Sequence, residues 1–546
     1  TDNDTTYTVK TAVGLAWIAK VTNDGLFYKV DDTDNTANYP HRPGFEGCTV
    51  ELYGSLTDDS LSLRDHYWTP IGDVSKYFKG AFDGNHKLVA GLKADTTVSS
   101  GSVYVGLFGS IVNASVSNVG VWVAAEGIKG ESGLGCLVGG IAGYSGNSTI
   151  RNCFVSGDAD AAIMEVGNGS AGGIVGDNKG IVENCYTTVD VYASGNSIDA
   201  GGIAGSNERS ITSVYATGKV TGTSSGNSPF CYVGGITGSN IGTLSKALAL
   251  NKEGLSGTPG TNGDLYLGRI SGYKKPYSSF SQCYASTKIN ITSTPDGTYT
   301  DGTDAGLTTD LFLFPTGGEG AVWTTDNGTD NLPQLSTFSA ASAGKPGQPA
   351  LAKADYLEEL PLGTEGNPYV IDIASITSGD SKNQYNYSDG LITLLKPDSC
   401  YLIKGKKNQV RTLTLTPETG TPNEPQHPYH LYAQAGCALD TLLVPAGTAC
   451  IIQGDSLRSK SCQVRGGTLT MEVPVVLEMP KAKGSTGNYW QYSSLYIDGG
   501  SVTVNDTLRA YASGSSGGYG IFYLSSSSKL TIGSKGVVYA YGGNRG

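Results

Sequence analysis

Charge is scarce in this chain. Asp, Glu, Lys and Arg make up 16% of its 546 residues and the net charge is −12, where a globular domain usually carries about a quarter charged residues. There is no extended Lys/Arg block, so a phosphate backbone would meet no basic stripe, and nucleic acid is excluded as a partner. No apolar run approaches the length of a membrane-spanning helix, so none is expected. Methionine occurs only 3 times and histidine 5 times. None of His41, His66, His86, His427 and His430 belongs to a His-Glu-x-x-His motif, the helix-borne pair that holds zinc beside a glutamate base. Metallopeptidase chemistry is therefore not expected, and neither is a cofactor. The ten cysteines contain no Cys-x-x-Cys pair and are too scattered for a disulfide scaffold. The chain opens on Thr1-Asp-Asn without a leader, as a processed, exported protein would.

Glycine is abundant, at 78 residues, and it is periodic. A Gly-Gly-(Ile/Val)-x-Gly turn followed by apolar-x-polar-apolar-aromatic recurs six times between residues 106 and 284. The clearest copies are Gly139-Gly-Ile-Ala-Gly143 with Ile150-Arg-Asn-Cys-Phe154, Gly172-Gly-Ile-Val-Gly176 with Val182-Glu-Asn-Cys-Tyr186, and Gly201-Gly-Ile-Ala-Gly205 with Ile211-Thr-Ser-Val-Tyr215. The intervals are 34, 33, 29, 33 and 34 residues, the range of a solenoid. Apolar residues alternate at a period of two, so the units are strands. The fold class is all-β, a parallel β-helix or β-solenoid, with the glycines supplying positive φ at the corners. Ile141, Ile174, Ile203, Ile236 and Ile270 are expected to form one internal ladder, and Val119, Cys153, Cys185, Val214, Ala247 and Cys283 another. Cysteine alternates there with valine and alanine, so it serves as a small apolar filler.

These repeats resemble the GLUG motif of bacterial surface and secreted proteins, including the non-catalytic part of IgA-cleaving metallopeptidases. Leu15-Ala-Trp-Ile-Ala19 resembles the family's lead-in helix, and Phe45 to Leu52 its first strand. Trp68-Thr-Pro-Ile-Gly72 with Phe78-Lys-Gly-Ala-Phe-Asp-Gly-Asn-His86 resembles its opening segment, and Trp323 with Leu332-Pro-Gln-Leu335 its closing one. The resemblance spans residues 8–340. It implies architecture and an extracellular or cell-surface location, and carries no activity with it.

Residues 1–340 are thus expected to be one solenoid, with a lead-in over 1–100, repeats over 106–284 and a closing segment over 285–340. Residues 341–354 lose strand alternation and read as a linker. Over 355–546 an apolar-x-apolar-x-x-Gly-x-apolar pattern recurs at Leu442, Cys462, Leu495 and, with one insertion, Leu530, which predicts a second parallel β-helix. The strand-like end at Tyr539–Gly546 has no cap, so the natural chain is expected to continue. The oxygen-rich turns at Asp31–Asp34, Asp301–Asp304 and Asp326–Asp330 leave calcium open, with Asx-turns the simpler reading; Asp83-Gly-Asn85 reads as a tight hairpin turn. Tyrosine outnumbers phenylalanine 32 to 12, and Tyr496, Tyr539 and Tyr541 are the candidate ligand contacts because exposed rings stack on sugars. No catalytic residue is assigned. The sequence points to a non-enzymatic, adhesin-like protein binding glycans or host surface proteins; the rival is a polysaccharide lyase or glycosidase on the second β-helix.

Overall fold

Each copy of the repeat closes one coil of a parallel solenoid. Val116, Ile150, Val182, Ile211, Leu244 and Phe280 follow one another in register on one side. Ile128, Ile163, Val191, Val220 and Leu255 do the same on another. The isoleucine ladder is present: Ile141 N donates to Ile174 O at 2.9 Å, Ile174 N to Ile203 O at 2.9 Å, Ile203 N to Ile236 O at 2.8 Å and Ile236 N to Ile270 O at 3.0 Å. All five side chains are fully buried. The mixed ladder is present too, with Cys153 beside Cys185, then Val214, Ala247 and Cys283. All ten cysteines are free and buried, and burial pushes the Cys283 thiol up to about 12.

The structure, a computed structural model, describes residues 5–25, 43–53, 56, 59–225, 230–291, 300–307, 309–314, 316, 321–325, 328–336, 338, 340, 346–361, 363–365, 367–373, 375–376, 381–382, 385–388, 390–405, 412–417, 428–434, 437–454, 456–478, 493–511 and 521–541. It divides into two units, Thr1–Glu358 and Glu359–Gly546.

The repeat glycines do something other than expected. None of those in the Gly-Gly-Ile-x-Gly turns takes a positive φ. They are there because backbones touch. A Cβ at Gly173 would lie 2.3 Å from Gly202 O, and one at Gly202 2.1 Å from Gly235 O, each the carbonyl of the next coil. Positive φ falls instead on the polar residue before each position of the cysteine ladder: Asn118 (54°), Asn152 (52°), Asn184 (52°), Ser213 (54°), Lys246 (50°) and Gln282 (51°). Asparagine tolerates the left-handed region because its short amide bonds locally, and here the amides also bond between coils. Asn152 Nδ2 donates to Asn118 Oδ1 at 3.1 Å, and Asn184 Nδ2 to Asn152 Oδ1 at 3.3 Å. A second, fully buried asparagine ladder joins Asn178, Asn207 and Asn240 at 2.8 and 2.6 Å. The same corner explains Asp83-Gly-Asn85, which is not a hairpin. Strand Ala81–Val98 runs through it in parallel pairing, with Asn85 and His86 at φ 49° and 58°.

Helix Ala12–Asp24 is inserted between the first two rungs, since Thr5–Val9 pairs directly with Cys48–Leu52. Thr11 caps it, its Oγ1 accepting from Gly14 N, and Gly25 ends it in the left-handed region at φ 66°. Its apolar side buries Leu15, Ile18 and Val21, and Trp17 packs edge-on against Phe45.

The closing segment folds back along the solenoid. The aromatic residues ending three repeats, Phe154, Tyr186 and Tyr215, stack at 5.2 and 4.7 Å with nearly parallel rings. Phe338 lies edge-on against Phe154, and Trp323 and Phe314 cover Tyr215. Each ring sealed this way is worth ~1.5–3 kcal/mol. The described part of the expected linker belongs to this covering and is not free. Gln348, 1% exposed, accepts from Tyr186 Oη at 3.0 Å and bonds both the N–H and the C=O of Leu335. Lys353 forms a buried ion pair with Asp310 at 2.6 Å. Apolar alternation stops in this stretch because its contacts are made by amides and a salt bridge.

In the second unit Tyr369–Asp372 pairs in parallel with Cys400–Lys404, an antiparallel meander of Ser381–Lys382, Tyr385–Ser388 and Leu391–Leu394 lies between them in sequence, and the later strands stack in parallel. Tyr401, Leu431, Ile452, Met471 and Val504 form one buried column. Leu442, Cys462 and Leu495 stack as their shared pattern requires. The fourth copy does not: Phe522 stands on Leu495, while Leu530 pairs with Val502. The insertion shifted the pattern by one strand of the coil.

Candidate functional site

The three tyrosines singled out from the sequence do not form one site. Tyr496 is only 7% exposed: it stacks on Tyr523 at 4.8 Å, donates to Asp498 Oδ2 at 3.3 Å and lies under the Arg465 guanidinium. Tyr539 and Tyr541 are 44% and 43% exposed and share a strand face with centroids 6.3 Å apart. Tyr541 stacks on Tyr511, and Arg509 covers Tyr539.

The other candidates are committed to structure. Arg269 binds both Asp301 and Asp304, at 2.9 and 2.7 Å, so those carboxylates face a guanidinium. Asp31–Asp34 and Asp326 lie outside the described residues, as do His41 and His427. His430 Nδ1 is 3.1 Å from Gln453 Oε1. Among the described residues no three His, Cys, Asp or Glu side chains converge as metal ligands. Ser224 sits in a Gly-x-Ser-x-Gly string at Gly222–Gly226, a spacing that can mark a nucleophile, but its hydroxyl is buried and donates to Asn196 O at 2.6 Å. A cavity of about 420 Å³ beside helix Ala12–Asp24 is floored by Ala16, Ala19, Leu63 and Trp68. The Lys20–Asp24 pair on its rim is closed on itself at 2.6 Å.

Chemistry gathers elsewhere, at the Gly-Gly-Ile-x-Gly corner of the first solenoid. Before each corner one column of alternate residues points away from the core: Tyr104, Leu137, Ser170, Asp199, Tyr232 and Tyr266, in register. After it runs a second: Ser110, Tyr144, Asp177, Ser206, Ser239 and Tyr273. The corner bends so sharply that the two columns face each other. A Cβ at Gly205 would meet Ser170 Cβ at 2.6 Å, and one at Gly272 would meet Val233 N at 2.4 Å. The last glycine of the motif is what lets the strand turn back on itself and makes a notch.

Rings close the notch at two places. Tyr104 and Tyr144 stack across it at 5.7 Å. Several coils away Tyr232 and Tyr273 stack at 4.7 Å, Tyr266 stands edge-on to both at 5.0 and 5.4 Å, and Phe230, 43% exposed, stacks on Tyr232. Between them lie small serines and two carboxylates. Burial pushes Asp199 up to about 7; the Ser170 hydroxyl, donating at 3.3 Å, opposes this and the neighbouring Asp177 charge adds to it. Burial likewise pushes Asp177 up to about 6, against the pull of Lys179. Lys179 is itself held by Glu208 at 2.8 Å. The composite is an aromatic–polar–aromatic edge, assembled from positions about one coil apart in sequence.

Residues 135–159 match the GLUG motif. This chain carries the GLUG motif. The matched stretch runs from the rung of Leu137 through the Gly139–Gly143 corner to Phe154, so it contains one full notch corner and the asparagine of the next bend. Among solved structures, the chain is similar to a provisionally named immunoglobulin A1 protease from Bacteroides ovatus, at 19% identity over 60% of this chain and 92% of that one, with a TM-score of 0.39. No curated protein matches. Within the matched stretch, the Gly139–Gly143 corner brings neighbouring coils into backbone contact, a Cβ at Gly140 lying 2.6 Å from Gly173 O.

Proposed function

We propose that this GLUG-motif protein is an exported, non-enzymatic, adhesin-like module that binds glycans at the cell surface or outside the cell. The observation that carries this reading is the notch, where part-exposed tyrosine rings stand in two clusters along one edge of the first solenoid, with buried serines and two largely buried carboxylates between them. Aromatic faces stack on sugar rings, and serines and carboxylates accept from hydroxyls. The polar, glycine-rich composition suits an extracellular solenoid, and no described helix is long and apolar enough to cross a membrane. Glycan-array binding, run beside a reducing-sugar release assay on the same polysaccharides, tests it. Binding without release is the expected result; binding only to host or matrix proteins would contradict it.

A carbohydrate-active enzyme is the second reading, and one observation favours it: Asp177 and Asp199 are neighbouring carboxyls raised to about 6 and 7, as an acid–base pair would need. This reading would move the enzyme from the second β-helix, where the sequence suggested it, to the first solenoid. In the second, Asp440 and Glu478 are engaged by Lys460 and Arg458. Sugar release abolished by Asp199→Asn would decide for the enzyme.

A further inference from the structure

We infer that the notch is a two-platform site for a linear, neutral polysaccharide, whose chain lies along the stack and rests on Tyr104/Tyr144 at one end and Tyr232/Tyr273 at the other. This rests on the glycan-binding reading and adds the class and length of the ligand.

The spacing carries it. Tyr104, Leu137, Ser170, Asp199 and Tyr232 are successive rungs of one column, so the platforms stand four rungs apart, ~19 Å at ~4.8 Å per rung. No single sugar reaches both. A chain of several pyranoses does, and it would run over Ser170, Ser206 and Ser239, all buried and small, which form a floor rather than a barrier. Asp177 and Asp199 sit midway, largely buried beneath the path, so the middle units would pass over them and the contacts are made at the rings.

The charges select against an acidic chain. Glu208 stands at the middle with Lys179 paired to it at 2.8 Å, Asp177 and Asp199 lie largely buried beneath, and the whole chain carries −12. A uronate or sialate chain would bring carboxylates against carboxylates, and desolvated like charges are costly. A neutral chain offers only hydroxyls and ring faces, which is what the site is built to meet.

Two platforms joined by one ligand act as a bivalent site, so the second contact forms at high effective concentration. Affinity should stay low for short oligosaccharides, climb steeply once the chain bridges both platforms, and then level off.

The test is calorimetric titration of the full chain with size-graded neutral oligosaccharides of the cello, xylo and manno series, beside a uronate series. The paired variants are Tyr232→Ala/Tyr273→Ala and Tyr104→Ala/Tyr144→Ala, with the Tyr→Phe pairs as stacking-competent controls that also exclude misfolding. The expected result is that each Ala pair lowers long-chain affinity about tenfold or more and flattens the length dependence, while the Phe pairs keep it. Length-independent affinity, preference for the uronate series, or unchanged long-chain affinity in either Ala pair would overturn the two-platform site. Binding abolished by Tyr539→Ala/Tyr541→Ala with the notch pairs unaffected would overturn it while sparing the glycan reading. No binding to any glycan by the unmodified chain would remove both.

Discussion

Gly202→Ala should be among the most damaging single-methyl additions in this protein. The new Cβ would lie 2.1 Å from Gly235 O and 2.6 Å from the Ala216 side chain. The first of these is a backbone carbonyl in the next coil, which has no rotamer to escape into. Relief requires the coils to part, and the nearest rung bonds, Ile203 N to Ile236 O at 2.8 Å and Ala204 N to Ile236 O at 3.1 Å, would stretch with them. Overpacking costs 1–3 kcal/mol and each weakened bond about 1 kcal/mol, so the expected loss is ~3–5 kcal/mol. Urea unfolding followed by tryptophan fluorescence reads it, since Trp17, Trp68, Trp122 and Trp323 all report on this unit. Gly133→Ala, with nothing within 4 Å, is the control and should stay within about 0.5 kcal/mol. Gly202→Asn separates the two explanations for the glycine. If left-handed φ were the requirement, Asn would be tolerated; close approach predicts that it is as harmful as Ala. A tolerated Asn, or an unchanged midpoint for Gly202→Ala, would refute the packing argument.

Other outcomes follow from the same structure. Cys185→Val should cost under ~1.5 kcal/mol and Cys185→Asp several, through a buried unpaired charge; thiol titration should find Cys153, Cys185 and Cys283 protected when native and free when unfolded. Glu165 faces Gly130 and Ala193 inside the coil, and burial pushes it up to about 8. Its folded-state pKa lies above the unfolded one, so the folded state holds its proton more tightly, and stability should fall as pH rises from about 4.5 to about 8. Glu165→Gln should remove that part of the slope and raise the stability at pH 8, by at most ~5 kcal/mol; thermal melts across pH check it, and an unaltered slope would be the contrary result. Gln348→Ala strips partners from Tyr186 and Leu335 and should cost ~1–3 kcal/mol. Residues 346–357 should resist limited proteolysis in the unmodified chain and be cut in that variant.

The core was legible because it depends on side chains that repeat at one period. Both predicted ladders required only that Ile174 stand on Ile141 and Cys185 on Cys153. The glycine assignment failed because composition does not distinguish a glycine that needs a positive φ from one that needs room; Gly202 is explained only by a carbonyl 33 residues away. The bend itself was hidden in the polar slot of the motif, where Asn118, Asn152 and Asn184 look like solvated fillers. Gln348 and Lys353 were misread because polar residues in a pattern-free stretch suggest solvent, yet here they seal a row of rings. The notch escaped notice for a related reason. Tyr104, Tyr144, Tyr232 and Tyr273 fall in different repeats and on both sides of a turn, so only the stacked coils bring them together. Tyr496 shows the converse: outward in the pattern, it is covered by the ring of the next coil.

Oxidative footprinting of the tyrosines, with and without a long neutral polysaccharide identified on the array, tests the central claim most directly. The account predicts protection at Tyr104, Tyr144, Tyr232, Tyr266 and Tyr273, and no change at Tyr67, which is exposed and lines the separate cavity beside helix Ala12–Asp24. Protection confined to Tyr539 and Tyr541, or an unchanged pattern under saturating glycan, would contradict it.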